Sequence, residues 1–158
     1  MAIVMAIDDA LVIRKLVQSC LEQQGHQVIC FEGGIQAIKY ARNNPLDLVI
    51  SDVHMPGMQG TSVVKQLRNI PSCENIPIIM LSTETSADWK KKAREFGADG
   101  WINKPFNVER FNHAIKTILT RFGHDVPAAN DTASISSSDQ SDQSDQSSNQ
   151  SSDNKKSG

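Results

Sequence analysis

Asp8 and Asp9 follow one short apolar run, Ile3–Ile7, and Asp52 stands just past another, Leu48–Ile50. Ser82 follows a third run, Ile78–Leu81, and Asn103, Lys104 and Pro105 follow a fourth, Trp101–Ile102. Gathered in one crevice, these ends would bring together three carboxylates, a hydroxyl and one ammonium. Carboxylates at close range repel: two unit charges ~4 Å apart cost ~4 kcal/mol at an effective dielectric of ~20. Protonating one group or binding a cation relieves the repulsion. An all-oxygen site with one or two direct carboxylates and room for water suits Mg²⁺. Three carboxylates, a divalent cation and Lys104 sum to zero charge. Such a near-neutral set can accept a phosphoryl group. A carboxylate can attack phosphorus and form an acyl phosphate, while metal and lysine neutralise the equatorial oxygens. Ser82 could donate a hydrogen bond to the bound group. These residue types therefore point to phosphoryl transfer onto an aspartate.

The elements that must position them are legible in the hydropathy pattern. The runs Ile3–Ile7, Val28–Phe31, Leu48–Ile50, Ile78–Leu81 and Trp101–Ile102 are rich in Ile and Val and do not alternate with polar residues. That pattern marks strands buried on both faces of a parallel sheet. Between them lie segments of helical period. Ile13, Leu16, Val17, Cys20 and Leu21 form one stripe, with Gly25 as its C-cap, and Val108, Phe111, Ile115, Ile118, Leu119 and Phe122 form another. Segments 33–43, 59–69 and 86–96 read as shorter helices. Strand and helix alternate five times, which implies a doubly wound α/β fold with helices on both faces and right-handed crossovers. Ligands of such sheets bind beyond the carboxyl ends of the strands, where Asp8, Asp9, Asp52, Ser82 and Lys104 fall.

The 158-residue chain is 39% hydrophobic and 22% charged, a globular balance. Its longest apolar run, Met1–Ile7, is far short of the ~20 residues of a membrane span. No basic segment precedes it, so a secretory signal is not expected. Cys20, Cys30 and Cys73 are odd in number and have neither disulfide-framework nor zinc spacing, which points to a reducing, cytoplasmic setting. Residues 1–124 carry 14 Lys and Arg against 12 Asp and Glu, a net +2; residues 125–158 carry 2 Lys against 6 Asp, a net −4. A weakly positive domain gives no basis for nucleic-acid binding. From Asp125 the chain is mostly Ser, Asp, Gln and Asn, with tandem Ser-Asp-Gln units over Ser138–Gln146. The reading is one domain over 1–124 and a disordered Ser/Asp/Gln-rich tail over 125–158.

With these motifs assembled, the chain resembles the receiver domain of two-component response regulators over about residues 1–122. The resemblance is carried by Asp8-Asp9, by the Asp52–Gly60 segment with Met55, Pro56, Gly57 and Met58, by Leu81-Ser82-Thr83-Glu84, and by Gly97–Phe106 with Trp101, Lys104 and Pro105. It implies a flavodoxin-like (βα)5 sheet of strand order 2-1-3-4-5. It further implies that Asp52 is the phosphoacceptor, Asp9 a direct Mg²⁺ ligand, Asp8 a ligand mostly through water, and His54 a ligand through its backbone carbonyl. Ser82 takes the phosphate-sensing position, Lys104 the phosphate-pairing one before a cis Pro105, and Trp101 the switch-aromatic one. His54 and Glu84 occupy positions that tune phosphoryl lifetime. Three departures stand out. Ala10 replaces the usual hydroxyl residue and weakens the first helix cap. Trp101 is larger than the usual aromatic. His54 and Glu84 fill variable positions, so the direction of their effect is open.

The implied function is a single-domain, chemotaxis-type (CheY-like) switch. A sensor histidine kinase would donate its phosphoryl group to Asp52, and the face of helix 4, strand 5 and helix 5 would bind a downstream protein. With no second folded domain in view, output would pass through that partner, and the chain would catalyse only its own phosphorylation and dephosphorylation. A phosphorelay shuttle or phosphate sink is the alternative, and a Mg²⁺-dependent phosphatase with an aspartyl-phosphate intermediate is a more distant one. That phosphatase chemistry expects Asp-x-Asp after the first strand, where this chain has adjacent aspartates. Plainer readings stand beside these: Asp8 and Asp9 as helix caps, Trp101 as core packing, Lys90, Lys91, Lys92 and Arg94 as a solvated helix face, and His26, His113 and His124 as surface residues.

Overall fold

The computed structural model describes residues 1–123. The expected disorder of 125–158, the boundary at 124/125 and the surface reading of His124 lie outside the described residues. Five strands alternate with five helices: β1 (Ile3–Ile7), α1 (Leu11–Glu22), β2 (Gln27–Phe31), α2 (Gly34–Asn43), β3 (Leu48–Asp52), α3 (Gly60–Arg68), β4 (Ile78–Ser82), α4 (Ala87–Phe96), β5 (Gly100–Asn103) and α5 (Val108–Arg121). A 3-10 turn at Pro71–Cys73 precedes β4. The sheet is parallel throughout, in the order β2-β1-β3-β4-β5.

Helices cover both faces. Val17, Cys20 and Leu21 of α1 and Phe111, Ile115, Ile118 and Leu119 of α5 pack on Val4, Leu48, Ile50, Ile79 and Leu81. On the other face Ala37, Ile38 and Ala41 of α2, Val63, Val64 and Leu67 of α3 and Ala93 of α4 pack on Met5, Ile7, Val49, Ile78 and Met80. Each fully buried Leu, Ile or Val is worth ~1.5–3 kcal/mol relative to exposure, so this two-sided burial is what holds the strand ends in register. Among the described residues no helix is long and apolar enough to cross a membrane.

Two-sided burial holds for β3 and β4 and nearly so for β1, but the edge strands differ from the sequence reading. β2 is half-buried apart from exposed Gln27, and β5 is half-buried up to exposed Asn103, because each lacks a neighbour on one side. Two further corrections concern the amino-terminal end of the sheet. α1 ends at Glu22 with Gln23 as its C-cap, and Gly25 sits beyond it at φ +89° in the turn into β2. His26 is buried, not a surface residue, and its Nδ1 accepts the Ala2 N–H at 3.0 Å. His113 is exposed as read.

Candidate functional site

Asp52 is the last residue of β3 and lies opposite Leu81 of β4. Its side chain is therefore carried into the sheet edge by the ladder, and only 6% of the residue is exposed. The chain turns back past Gly57, at φ +86°, into α3. Gly60 opens that helix so close to β3 that a Cβ there would collide with the Asp52 carbonyl oxygen. Its N–H donates to the Val53 carbonyl at 2.7 Å. The glycine thus lets the loop fold tightly beneath Asp52.

Asp8 extends the β1–β2 ladder by one bond, its N–H donating to the Phe31 carbonyl at 3.1 Å. Its Oδ1 accepts the Ala10 N–H at 2.9 Å, and Arg14 Nη1 donates to its carbonyl at 2.7 Å. Ala10 is the N-cap of α1 and supplies no side-chain bond, so the departure noted in the sequence does leave that helix without its own cap. Asp9, next in the chain, is exposed. One carboxylate oxygen each of Asp8, Asp9 and Asp52 lie within 4.8 Å of one another.

Lys104 reaches this group from the carboxyl end of β5, two strands from β3. Its N–H donates to the Ser82 carbonyl at 2.8 Å, and a cis peptide bond joins it to Pro105. Its Nζ lies 3.0 Å from Asp8 Oδ2 and 3.4 Å from Asp52 Oδ1, with all three side chains largely buried. Burial pushes the Asp52 carboxyl above its ordinary range; the Asp8 charge pushes the same way, and Lys104 pulls against both. Three carboxylates and one ammonium leave a formal −2. The donor set is all oxygen, and one member is open to solvent. It fits a hard divalent cation with water among its ligands. Asp8, Asp9 and Asp52 are the side chains that could hold one.

Ser82, fully buried at the end of β4, accepts the Glu84 N–H on Oγ at 3.0 Å. That bond uses an oxygen lone pair and leaves the hydroxyl hydrogen as a donor. Trp101 is half-buried against the α2–α3–α4 side of the core. Its Nε1 is buried with no hydrogen-bond partner among the described residues. His54 and Glu84 meet: His54 Nε2 lies 3.0 Å from Glu84 Oε2, with side chains 41% and 31% exposed. The structure thus brings Asp8, Asp9, Asp52 and Lys104 into one group and His54 and Glu84 into a second pair. Lys91, Lys92 and Arg94 are exposed on α4, while Lys90 is half-buried.

Sequence reasoning missed Trp89. It stands on α4 with its ring edge-on to His54, centroids 4.7 Å apart at 80°. A tryptophan in an otherwise charged helix was the available signal. Arg14, which ties α1 to the Asp8 carbonyl, had none.

Comparison with known proteins agrees with this geometry. Residues 4–116 match the family model described as the response regulator receiver domain. The chemotaxis response regulator CheY4 of Vibrio cholerae superposes with a TM-score of 0.72 at 38% identity, covering 75% of this chain and 98% of that one. The transcriptional regulatory protein PhoP of Bacillus subtilis, which acts in alkaline phosphatase synthesis, is 36% identical over 75% of this chain and 48% of its own length. Histidine kinase P4 of Formosa agariphila is 34% identical over 73% of this chain and 8% of its own length. The chain thus spans about half of one such relative and a small part of the other. With five strands in the order 2-1-3-4-5 and the family model matched over most of its described length, this chain belongs to the receiver domains of two-component response regulators.

Proposed function

We propose that Asp52 accepts a phosphoryl group from a histidine kinase and that the resulting charge alters binding of a downstream protein. The observation that carries the reading is Lys104 Nζ, set between Asp8 and Asp52 with Asp9 in the same group. An Asp52 carboxylate oxygen attacks phosphorus. The bond from phosphorus to the donor imidazole nitrogen breaks, its electron pair stays on that nitrogen, and an aspartyl phosphate forms. Lys104 is placed to neutralise the oxygens of the incoming group. Ser82 can turn its hydroxyl hydrogen toward them. Asp8, Asp9, Asp52 and the His54 backbone carbonyl would hold Mg²⁺, which supplies positive charge against the phosphoryl oxygens when bound.

Phosphorylation adds about two negative charges. Inverting a 1:99 population needs ~5.5 kcal/mol of preference for the active state; Lys104 and Ser82 are the groups that can supply it. Trp101 is the element that responds. Its Nε1 is buried with no hydrogen-bond partner among the described residues, and such a donor gains from any position that pairs it. A second position of that ring is therefore within reach. The face of α4, β5 and α5 is the proposed contact for the downstream protein, and the likeness to a chemotaxis regulator supports a chemotaxis-type pathway. A cytoplasmic setting suits the free Cys20, Cys30 and Cys73.

The test is intact mass after incubation with Mg²⁺ and acetyl phosphate. One phosphoryl adduct on the wild type and none on Asp52→Asn is expected. An adduct on both, or on neither with the fold intact, contradicts the assignment of Asp52.

A further inference from the structure

We propose that Trp89 is a positioning residue for the phosphoryl chemistry, holding His54 and Glu84 together across the ends of β3 and β4. It thereby couples whatever engages α4 to the access of water and small donors to Asp52. The proposal rests on the reading of Asp52 as the phosphoryl acceptor and adds a regulator to that site.

The His54–Glu84 pair joins two loops that leave adjacent strands, two residues past Asp52 and two past Ser82. A carboxylate only accepts, so His54 Nε2 carries the hydrogen and donates to Glu84 Oε2. A pair this exposed contributes little and does not by itself keep two side chains in one geometry. Glu84 has its backbone fixed: its N–H goes to Ser82 Oγ at 3.0 Å, and its carbonyl accepts from Asn103 Nδ2 at 2.7 Å. His54 has Trp89. The two rings meet edge to face, an arrangement aromatic pairs prefer.

Trp89 is itself set firmly at the start of α4. Its N–H donates to the N-cap Ser86 Oγ at 3.2 Å, and its indole packs against the core. Lys92 Nζ also lies over its ring, 5.0 Å from the centroid. Lys91, Lys92 and Arg94 are exposed beside it. Asp88 and Glu95 share the helix, yet the cations outnumber them; an acidic partner drawn there would pull Lys92 off the ring and tilt the indole away from His54 without unseating it from the core. His54 then loses its support, and the pair opens. By linkage, a partner that prefers the open pair is itself bound more tightly when the pair is open.

The contact chain Ser82–Glu84–His54–Trp89–Lys92 is a physical path; coupling along it needs a mutant cycle. The wild type, Trp89→Ala, Trp89→Phe, His54→Ala and the Trp89→Ala/His54→Ala double variant would be loaded with acetyl phosphate and Mg²⁺. Loading and decay would be followed by intact mass. Trp89→Ala should speed both by about three- to tenfold, the size expected for one lost neighbour contact. Trp89→Phe keeps an aromatic ring against His54 and should stay near wild type, and its melting curve guards against a folding effect. In the His54→Ala background, Trp89→Ala should change nothing further.

Unchanged kinetics in Trp89→Ala, or the same acceleration with His54 already removed, overturns the proposal while leaving Asp52 as acceptor. Absence of any adduct on the wild type overturns the acceptor reading and this one with it. A second measurement uses Trp101→Phe, in which Trp89 is the remaining tryptophan. Its emission should shift on adding beryllofluoride and Mg²⁺, and no shift in protein shown by mass to load also overturns the coupling.

Discussion

At the amino ends of the strands, Asp47 Oδ2 accepts the Ile3 N–H at 2.8 Å, and Asp99 Oδ2 accepts both the Ile78 N–H at 2.9 Å and Arg68 Nη2 at 2.8 Å. At the carboxyl ends, Asp8, Asp9 and Asp52 crowd within 4.8 Å around the single ammonium of Lys104. Both edges carry aspartates next to strands, but the first set caps backbone donors and is satisfied, while the second has more charge than its neighbours neutralise. The first edge spends its carboxylates on stability. On the proposed reading, the second gives up stability to keep a cation site and a nucleophile together. An aspartate beside a strand is therefore not informative by type alone; what matters is which end of the strand it occupies and how many donors face it.

Arg68 offers the largest break of this contrast. It joins three segments of the amino edge, donating to the Gly97 carbonyl at 2.7 Å, the Cys73 carbonyl at 2.8 Å and the Ile76 carbonyl at 2.7 Å as well as to Asp99. Arg68→Ala should cost about 3 kcal/mol in urea unfolding. Phosphoryl loading per folded molecule should be unaffected, since no partner of Arg68 lies in the carboxylate group. Gly60→Ala should cost about 2 kcal/mol, through the collision with the Asp52 carbonyl. Unlike Arg68→Ala, it should also slow acetyl phosphate loading, because the shift is transmitted to Asp52, the proposed acceptor.

Lys104→Ala sharpens the comparison through pH. Burial and Asp8 raise the Asp52 carboxyl in the folded chain, so the folded state binds that proton more tightly than the unfolded one. This group favours the fold below the ordinary carboxylate pKa, and that contribution is lost as pH rises through the folded value. Removing the ammonium deepens the effect. Lys104→Ala should lose about 1 kcal/mol at neutral pH and progressively less as acid neutralises the carboxylates. Phosphorylation should survive in this variant while partner switching fails; normal signalling would refute the role given to Lys104.

Much of this was legible in the sequence because the charged site stands at the ends of apolar runs. Ile3–Ile7 is a strand as read, and Asp8, Asp9, Asp52 and Lys104 gather where the topology sends them. The ladder adds what hydropathy could not. Asp52, Ser82 and Asn103 belong to their strands through pairing with neighbours, although polar side chains end the apolar pattern. His26 was misread because its Nδ1 is engaged by the backbone N–H of Ala2, just ahead of β1, and a backbone donor carries no residue signal. Arg68 was invisible for the same reason, with most of its acceptors being carbonyls. The meeting of Trp89 with His54 depends on where α4 begins, which short charged helices leave open.

On the proposed reading, the carboxyl edge holds negative charge beyond what Lys104 offsets, and a divalent cation relieves it. Urea unfolding of the wild type and Asp52→Asn at neutral pH, with MgCl₂ or with NaCl at matched ionic strength, tests it most directly. In NaCl, Asp52→Asn should be the more stable by about 1 kcal/mol, since it removes one of three crowded charges. Mg²⁺ should stabilise the wild type and do so much less in the variant. A variant less stable than the wild type in NaCl, or an equal gain from Mg²⁺ in both, would mean that the three carboxylates are not in excess and hold no divalent cation.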